Sequence, residues 1–245
     1  PEFDAVMAEL RARGVVFAPA SGRQYYALLR QMGKYQDEFI FVAENGTFVA
    51  QHDQELFSSV MAPAAVRAIL ARADALPEVF PVLCGKRLAY VRPQWQPYVT
   101  AMTQYFTRYE MVEDLAAVAA GEDIIKVALC DCRHGEAETR IYPAMQAFSG
   151  PLKVALSSHY WVDVMNDGIN KGVAVQKLQQ RLGIAPEECA AFGDYLNDAE
   201  MLAAVGYGFA MANAHPDVKK IARYAAPSNA EHGVMLKLQD LMAQG

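Results

Sequence analysis

Phe192-Gly-Asp-Tyr-Leu-Asn-Asp198 decides the reading of this chain: the apolar run Cys189-Ala-Ala-Phe192 breaks at Gly193 and delivers Asp194, Asn197 and Asp198 in quick succession. A short apolar strand ending in glycine and carboxylates fits an open α/β sheet, whose ligands collect at the carboxyl ends of the strands. Oxygen donors packed this closely suit a hard cation such as Mg2+. Short acidic turns also cap helices, and Asp194 and Asp198 would serve equally as caps for a helix starting near Asn197. Taken alone, the stretch leaves both readings open.

Working outward, Phe17-Ala-Pro-Ala-Ser-Gly-Arg23 is another apolar run that ends in a small hydroxyl residue and a glycine. Ser21 and the amides after it can hold a phosphoryl oxygen. Ser21 can also be the N-cap of the helix predicted over residues 25–32, and both roles coexist at a helix N-terminus, which attracts anions. Further along, Lys171 heads an amphipathic segment with Val175, Leu178 and Leu182 on one face. Most lysines are solvated surface charges, but a cation at a helix start opposes the macrodipole, which favours a functional reason for it. The order is hydroxyl turn, long intervening region, lysine, acidic turn.

That ordered set resembles the haloacid dehalogenase (HAD) superfamily of phosphatases, in its Cof-type sugar-phosphatase branch. Ala20-Ser-Gly-Arg23 is similar to the second motif of that superfamily, Asn170-Lys-Gly172 to the third and Gly193-Asp-Tyr-Leu-Asn-Asp198 to the fourth. Glu44-Asn-Gly46 and Ala212-Asn-Ala-His-Pro216 sit where the branch carries similar turns. The resemblance covers residues 1–55 and 166–245. It implies a doubly wound parallel-sheet, Rossmann-like core with an inserted α+β cap domain over residues 56–165. It also implies roles: Ser21, Gly22, Lys171 and Asn197 bind the phosphoryl group, Asp194 ligates Mg2+, and Asp198 orients Lys171 or metal-bound water. Lys171, Asp194 and Asp198 are thus the expected catalytic residues. The implied activity is that of a phosphoric monoester hydrolase acting on a small phosphorylated metabolite, with sugar phosphates first and a flavin or pyridoxal phosphate open.

One departure is serious. The first motif of the family, an Asp-x-Asp closing the first strand, does not occur before Ser21. Glu2 and Asp4 lie at the front of a helical pattern in which Phe3, Val6, Met7 and Leu10 share a face, with Gly14 as its stop, so neither replaces it. In the family the first Asp is the nucleophile and the second the acid and base. We therefore expect these residues alone not to turn over, and expect an upstream strand and loop of about two dozen residues to carry the missing pair. The alternatives are a non-catalytic phospho-ligand binder and a phosphotransferase or mutase on the same core.

Composition agrees with a large α/β core, since 53% of the 245 residues are hydrophobic. A net charge of −6 gives no basic patch for nucleic acid. No apolar run of membrane-spanning length occurs, and the cytoplasm is the expected location. Four cysteines in so long a chain predict reduced thiols, with Cys130 and Cys132 too close for an ordinary bridge and no second pair for zinc.

Hydrophobic periodicity predicts strands over residues 15–18, 39–43 and 47–50, the last two joined by the Asn45-Gly46 turn. The insertion reads as helix 63–73, strands 79–83 and 88–91, helix 95–109, strand 124–130, helix 137–148 and strands 152–156 and 161–165. Downstream of Lys171, helix and strand alternate: helices 171–182, 198–205, 216–223 and 233–242, with strands 189–192, 207–211 and 224–226 between them. Specificity in this branch sits on the cap, so Asn45, Arg87 in the turn Cys84-Gly-Lys-Arg87 and His159 in Ser157-Ser-His-Tyr160 are candidate substrate contacts. Each turn is equally a solvated hairpin tip.

Overall fold

The Asn45-Gly46 turn does reverse the chain, in a computed structural model that describes residues 2–98 and 105–244. Strand β1 (Phe41–Ala43) pairs antiparallel with β2 (Phe48–Gln51), Phe41 facing Ala50. Glu44 and Asn45 both take left-handed φ angles, 52° and 58°, which Asn tolerates well and Glu poorly. His52 and Asp53, also left-handed, turn the chain into β3 (Gln54–Ser58). β3 has no counterpart among the predicted strands, since its first two residues are polar and exposed. The helix Tyr25–Met32 begins where expected, but its N-cap is Gln24, without a side-chain cap bond. Ser21 is therefore not the cap. Its Oγ accepts instead from the Arg23 amide at 3.2 Å.

The same compact unit, residues 20–37 and 41–169, holds a six-stranded sheet of order β6-β5-β4-β7-β9-β8. Its strands are β4 (Phe80–Gly85), β5 (Ala89–Val91), β6 (Tyr109–Met111), β7 (Ile124–Cys130), β8 (Leu152–Leu156) and β9 (Trp161–Asn166). All pairs are antiparallel except β5 with β6. Helices Pro63–Asp74, Leu115–Gly121 and Ala137–Met145 pack on this sheet, burying Val66, Ile69 and Leu70 from the first and Ile141 and Met145 from the last. Each such side chain contributes about 1.5–3 kcal/mol. β7 is buried along its whole length, which makes the lysine in its middle, Lys126, conspicuous.

Two expectations for this unit change. Of the helix predicted over 95–109, residues 99–104 lie outside the described residues; from Tyr105 the chain is non-helical and enters β6. Cys130 and Cys132 are joined in a disulfide, because the bend at Asp131 sets their Cα atoms 5.3 Å apart, a span a bridge accepts. Cys84 and Cys189 are free thiols.

The second unit comprises residues 1–19, 38–40 and 170–245. Here the predicted alternation becomes a parallel sheet of order β10-β11-β12: β10 (Ala190–Gly193), β11 (Tyr207–Met211) and β12 (Tyr224–Ala226). The crossovers carry helices Ala199–Ala203 and Pro216–Ile221. Gly208 is required by packing, since a Cβ there would lie 2.3 Å from the Leu202 carbonyl oxygen. The helix Glu2–Ala12 buries Val6, Met7 and Leu10, contacts the helix Gly233–Gln244 and is followed by left-handed Gly14. Residues 15–18 do not form the predicted strand: Val15 and Val16 are exposed, and the Phe17 carbonyl accepts one backbone bond, from Ile40. Among the described residues β10 likewise has a strand neighbour on one side only. No helix among the described residues is long and apolar enough to cross a membrane.

Candidate active site

Lys171 is the first residue of the helix Lys171–Leu182, whose N-cap Asn170 accepts from the Val173 amide at 2.9 Å through its side chain. The helix buries Lys171, Gly172, Ala174, Leu178 and Gln179, while Leu182, expected on that face, is exposed. Gly172 lets the helix approach its neighbour: a Cβ there would stand 2.5 Å from the Glu200 carbonyl oxygen. The buried Lys171 Nζ donates to Asp198 Oδ1 at 2.6 Å. Asp198 Oδ2 accepts the Asp194 and Tyr195 amides at 3.0 and 3.1 Å. The cation facing the helix dipole is thus neutralised by a carboxylate that two backbone amides hold in place.

Asp194, at the end of β10, exposes its carboxylate, and Oδ2 accepts from Asn213 Nδ2 at 3.1 Å. Crowding by the surrounding chain, and then the negative charge of Asp198, raise its pKa above the usual carboxylate value. A carboxylate under such repulsion gains from a nearby cation, which fits a hard metal ion. Among the described residues, however, no cluster of three or more acidic, His or Cys side chains forms a complete metal shell. Asn213, from the turn Ala212-Asn-Ala-His-Pro216, is a site residue that no motif assigns; its Oδ1 accepts from the Asn229 amide, which fixes the amide donor on Asp194. Asn197 is half-buried in the short turn Leu196–Asp198.

In the other unit, the Ser21–Arg23 loop is tied down carbonyl by carbonyl. Ser21 O accepts from Asn45 N at 2.9 Å, Gly22 O from Lys126 Nζ at 2.8 Å, and Arg23 O from Glu44 N at 3.0 Å. The Ser21 amide donates to Val42 O. The Gly22 amide donates to nothing among the described residues. A Cβ on Gly22 would meet the Asn45 side chain at 3.1 Å, so glycine lets the loop sit against it.

Behind this loop lies a buried charged cluster that no sequence motif marks. Lys126 forms ion pairs with Glu44 at 2.5 Å and Asp163 at 3.4 Å, every side chain at most 3% exposed. Asp163 Oδ2 also accepts from Ser157 Oγ at 2.6 Å and from Asn45 Nδ2. Burial opposes the ammonium of Lys126, but Asp163 and Glu44 outweigh it and raise its pKa. Burial raises that of Glu44 despite Lys126. The available signal was a single lysine inside the apolar run Ile124-Ile-Lys-Val127. Of the candidate specificity residues, Asn45 is buried and serves this cluster; Arg87 and His159 are exposed at the β4–β5 and β8–β9 turns.

A parallel α/β unit with an acidic turn at the end of β10 facing a lysine at a helix start, and a second α+β unit inserted in the chain, are the architecture of the haloacid dehalogenase type. The family model for haloacid dehalogenase-like hydrolases matches residues 1–238, and the chain belongs to that family. It is 31% identical over 238 residues to 5-amino-6-(5-phospho-D-ribitylamino)uracil phosphatase YbjI of Escherichia coli K12, covering 95% of this chain and 85% of the relative. It is 27% identical over 212 residues to HMP-PP phosphatase of Klebsiella pneumoniae, covering 86% and 76%. Among solved structures, SMU.1108c from Streptococcus mutans superposes with a TM-score of 0.89 at 27% identity, covering 99% of this chain and 91% of the other. The HAD subclass IIB sugar phosphatase BT4131 shares the fold, with a TM-score of 0.81 at 19% identity. The Cof-type HAD resemblance and the class of phosphoric monoester hydrolase both agree with these relatives.

Proposed function

We propose that the protein is a Mg2+-dependent phosphatase of small phosphomonoesters, with sugar phosphates as the first substrate class. The observation that carries this reading is the Lys171–Asp198–Asp194 arrangement, a buried, charge-neutralised lysine beside an exposed carboxylate with a raised pKa. Phosphoryl transfer asks the protein mainly to position groups and to neutralise charge on the transferring oxygens. Lys171 supplies a cation to those oxygens, and Asp198 holds it at the helix start. The Ser21 hydroxyl and the unengaged Gly22 amide donate to phosphoryl oxygens, and Asn197 adds a further contact. Asp194, turned by Asn213, is the residue that would hold Mg2+, which when bound supplies charge neutralisation at the phosphate. Residues 56–165 act as the cap, where Arg87 and His159 are candidates for contact with the leaving group. The name of one relative adds phosphorylated uracil compounds, and that of another HMP-PP, to the substrates worth assaying.

The nucleophile in this reading is an Asp on a strand upstream of these residues, and the reaction runs through an aspartyl-phosphate. Its physical support is the mostly exposed stretch 15–18, which pairs with no strand among the described residues, together with the edge of β10 that has no strand neighbour among them, since strand edges seek partners. The test is phosphate release from a panel of sugar and pyrimidine phosphates, with and without Mg2+, by the natural gene product. Release that depends on Mg2+ and disappears in K171M and D194N supports the proposal. Binding without release by a gene product bearing no upstream Asp-x-Asp would favour the phospho-ligand binder.

A further inference from the structure

We infer that Lys126 is a positioning residue for phosphate binding, acting on the Ser21 hydroxyl through the peptide group between Gly22 and Arg23. This rests on the reading of Ser21 and Gly22 as phosphate donors.

The path is continuous. Lys126 Nζ donates to the Gly22 carbonyl at 2.8 Å, and the amide of the same planar peptide, Arg23 N–H, donates to Ser21 Oγ at 3.2 Å. Anchoring the carbonyl end of a rigid plane fixes the direction of its N–H. With that N–H on one lone pair of Ser21 Oγ, the hydroxyl proton is turned away from the loop and is free for an anion. A cation on the carbonyl also polarises the peptide, making its N–H, and in turn the serine hydroxyl, a stronger donor. Glu44 and Asp163 keep Lys126 charged and in place inside an otherwise apolar strand. Glu44 has a left-handed backbone, a conformation disfavoured for a non-glycine residue. A buried lysine whose only task was packing would be replaced by an apolar side chain without loss, because buried ion pairs are weak evidence for stability.

The test is calorimetric titration of the full chain with inorganic phosphate, a readout that needs no turnover. S21A and K126M are each expected to weaken binding about tenfold, the worth of one charge-assisted hydrogen bond. S21A/K126M is expected to bind no worse than either single variant, because both act on one hydroxyl. Normal phosphate affinity in K126M, or losses that add in the double variant, would overturn the inference while leaving Ser21 a phosphate donor. No phosphate binding by the unaltered chain, or normal binding by S21A, would overturn the reading of Ser21 and this inference with it. If K126M does not fold, E44Q/D163N/K126M, in which no charge is left without its partner, is compared with the unaltered chain. Failure of that variant to fold as well would make Lys126 a folding residue and refute the inference.

Discussion

Removing the carboxylate of Asp198 is the sharpest stability test of the acidic turn. Its side chain and that of Lys171 are 8% and 6% exposed, and they meet at 2.6 Å. D198A would leave a buried ammonium without its partner, which costs about 3–5 kcal/mol. It also removes the acceptor of the Asp194 and Tyr195 amides, each worth roughly 1 kcal/mol, although solvent entering the gap recovers part of that. We expect about 5 kcal/mol for D198A. D198N, which can keep the amides satisfied while losing the charge, should cost about 3 kcal/mol. The assay is urea unfolding at pH 7 followed by circular dichroism, with the slope compared between variants to check that a single transition is being read. For a chain of this size the D198A loss corresponds to a fall in Tm of roughly 10–20 °C. K171M/D198A should be more stable than the sum of its single losses predicts, because no charge remains to be stranded. A D198N loss below about 1 kcal/mol, or strict additivity in the double variant, would show that Lys171 is solvated and that the pair does not organise the turn.

Further outcomes follow from other groups. Asp194 has a raised folded pKa, so the folded state binds its proton more tightly and stability falls as pH rises through that value; D194N should therefore raise stability at pH 7 slightly, by under about 1 kcal/mol given the exposure of the group, seen as a small rise in Tm that is gone below about pH 4. Burial would raise the pKa of Asp131, but Arg140 and the His134 and Glu136 amides outweigh it and hold it low. R140M should thus lose about 2–3 kcal/mol at pH 7, a difference that shrinks as pH drops through the low folded pKa of Asp131, measured as Tm against pH. G208A should destabilise by about 1–3 kcal/mol in the same urea assay, since its methyl would strike the backbone at Leu202. Alkylation of the native chain without reductant should label Cys189 and leave Cys84 unmodified, read by peptide mass; prompt labelling of Cys130 or Cys132 would refute the disulfide.

Elements with one unambiguous period were readable from the sequence. The helices Tyr25–Met32 and Lys171–Leu182 and the strand Tyr207–Met211 fall on the predicted residues because apolar spacing, a cap or a glycine stop all agree there. What escaped depends on tertiary partners. The stretch 15–18 reads as a strand by composition, yet a strand exists only through its neighbours, and two of its valines remain in solvent. Leu115–Gly121 was missed because an alanine-rich segment has almost no amphipathic contrast. Around the acidic turn, the family resemblance implies that Asp198 orients Lys171 or metal-bound water, and the bond to Lys171 is the contact present, while Asn213 as the partner of Asp194 needed the fold to bring residues 19 apart together. Lys126 was hidden by its surroundings: a strand reading averages over neighbours, and one charge among six apolar residues does not change the average.

The Asn45-Gly46 dipeptide carries a chemical liability that the fold suppresses. Asparagine followed by glycine ages by attack of the glycine nitrogen on the side-chain carbonyl, which expels ammonia and gives a cyclic imide that water opens to isoaspartate and aspartate. Here Asn45 is 2% exposed, its amide is held by Ser157 and Asp163, and its backbone sits in a left-handed turn. The folded chain therefore shields this bond from ageing, while every excursion that opens the turn exposes it. An aspartate formed at this position would face Asp163 in a dry interior, so the damage would prevent the turn from closing again. Slow accumulation of acidic forms on storage would then record how often this region opens, long before any loss of the bulk fold is visible.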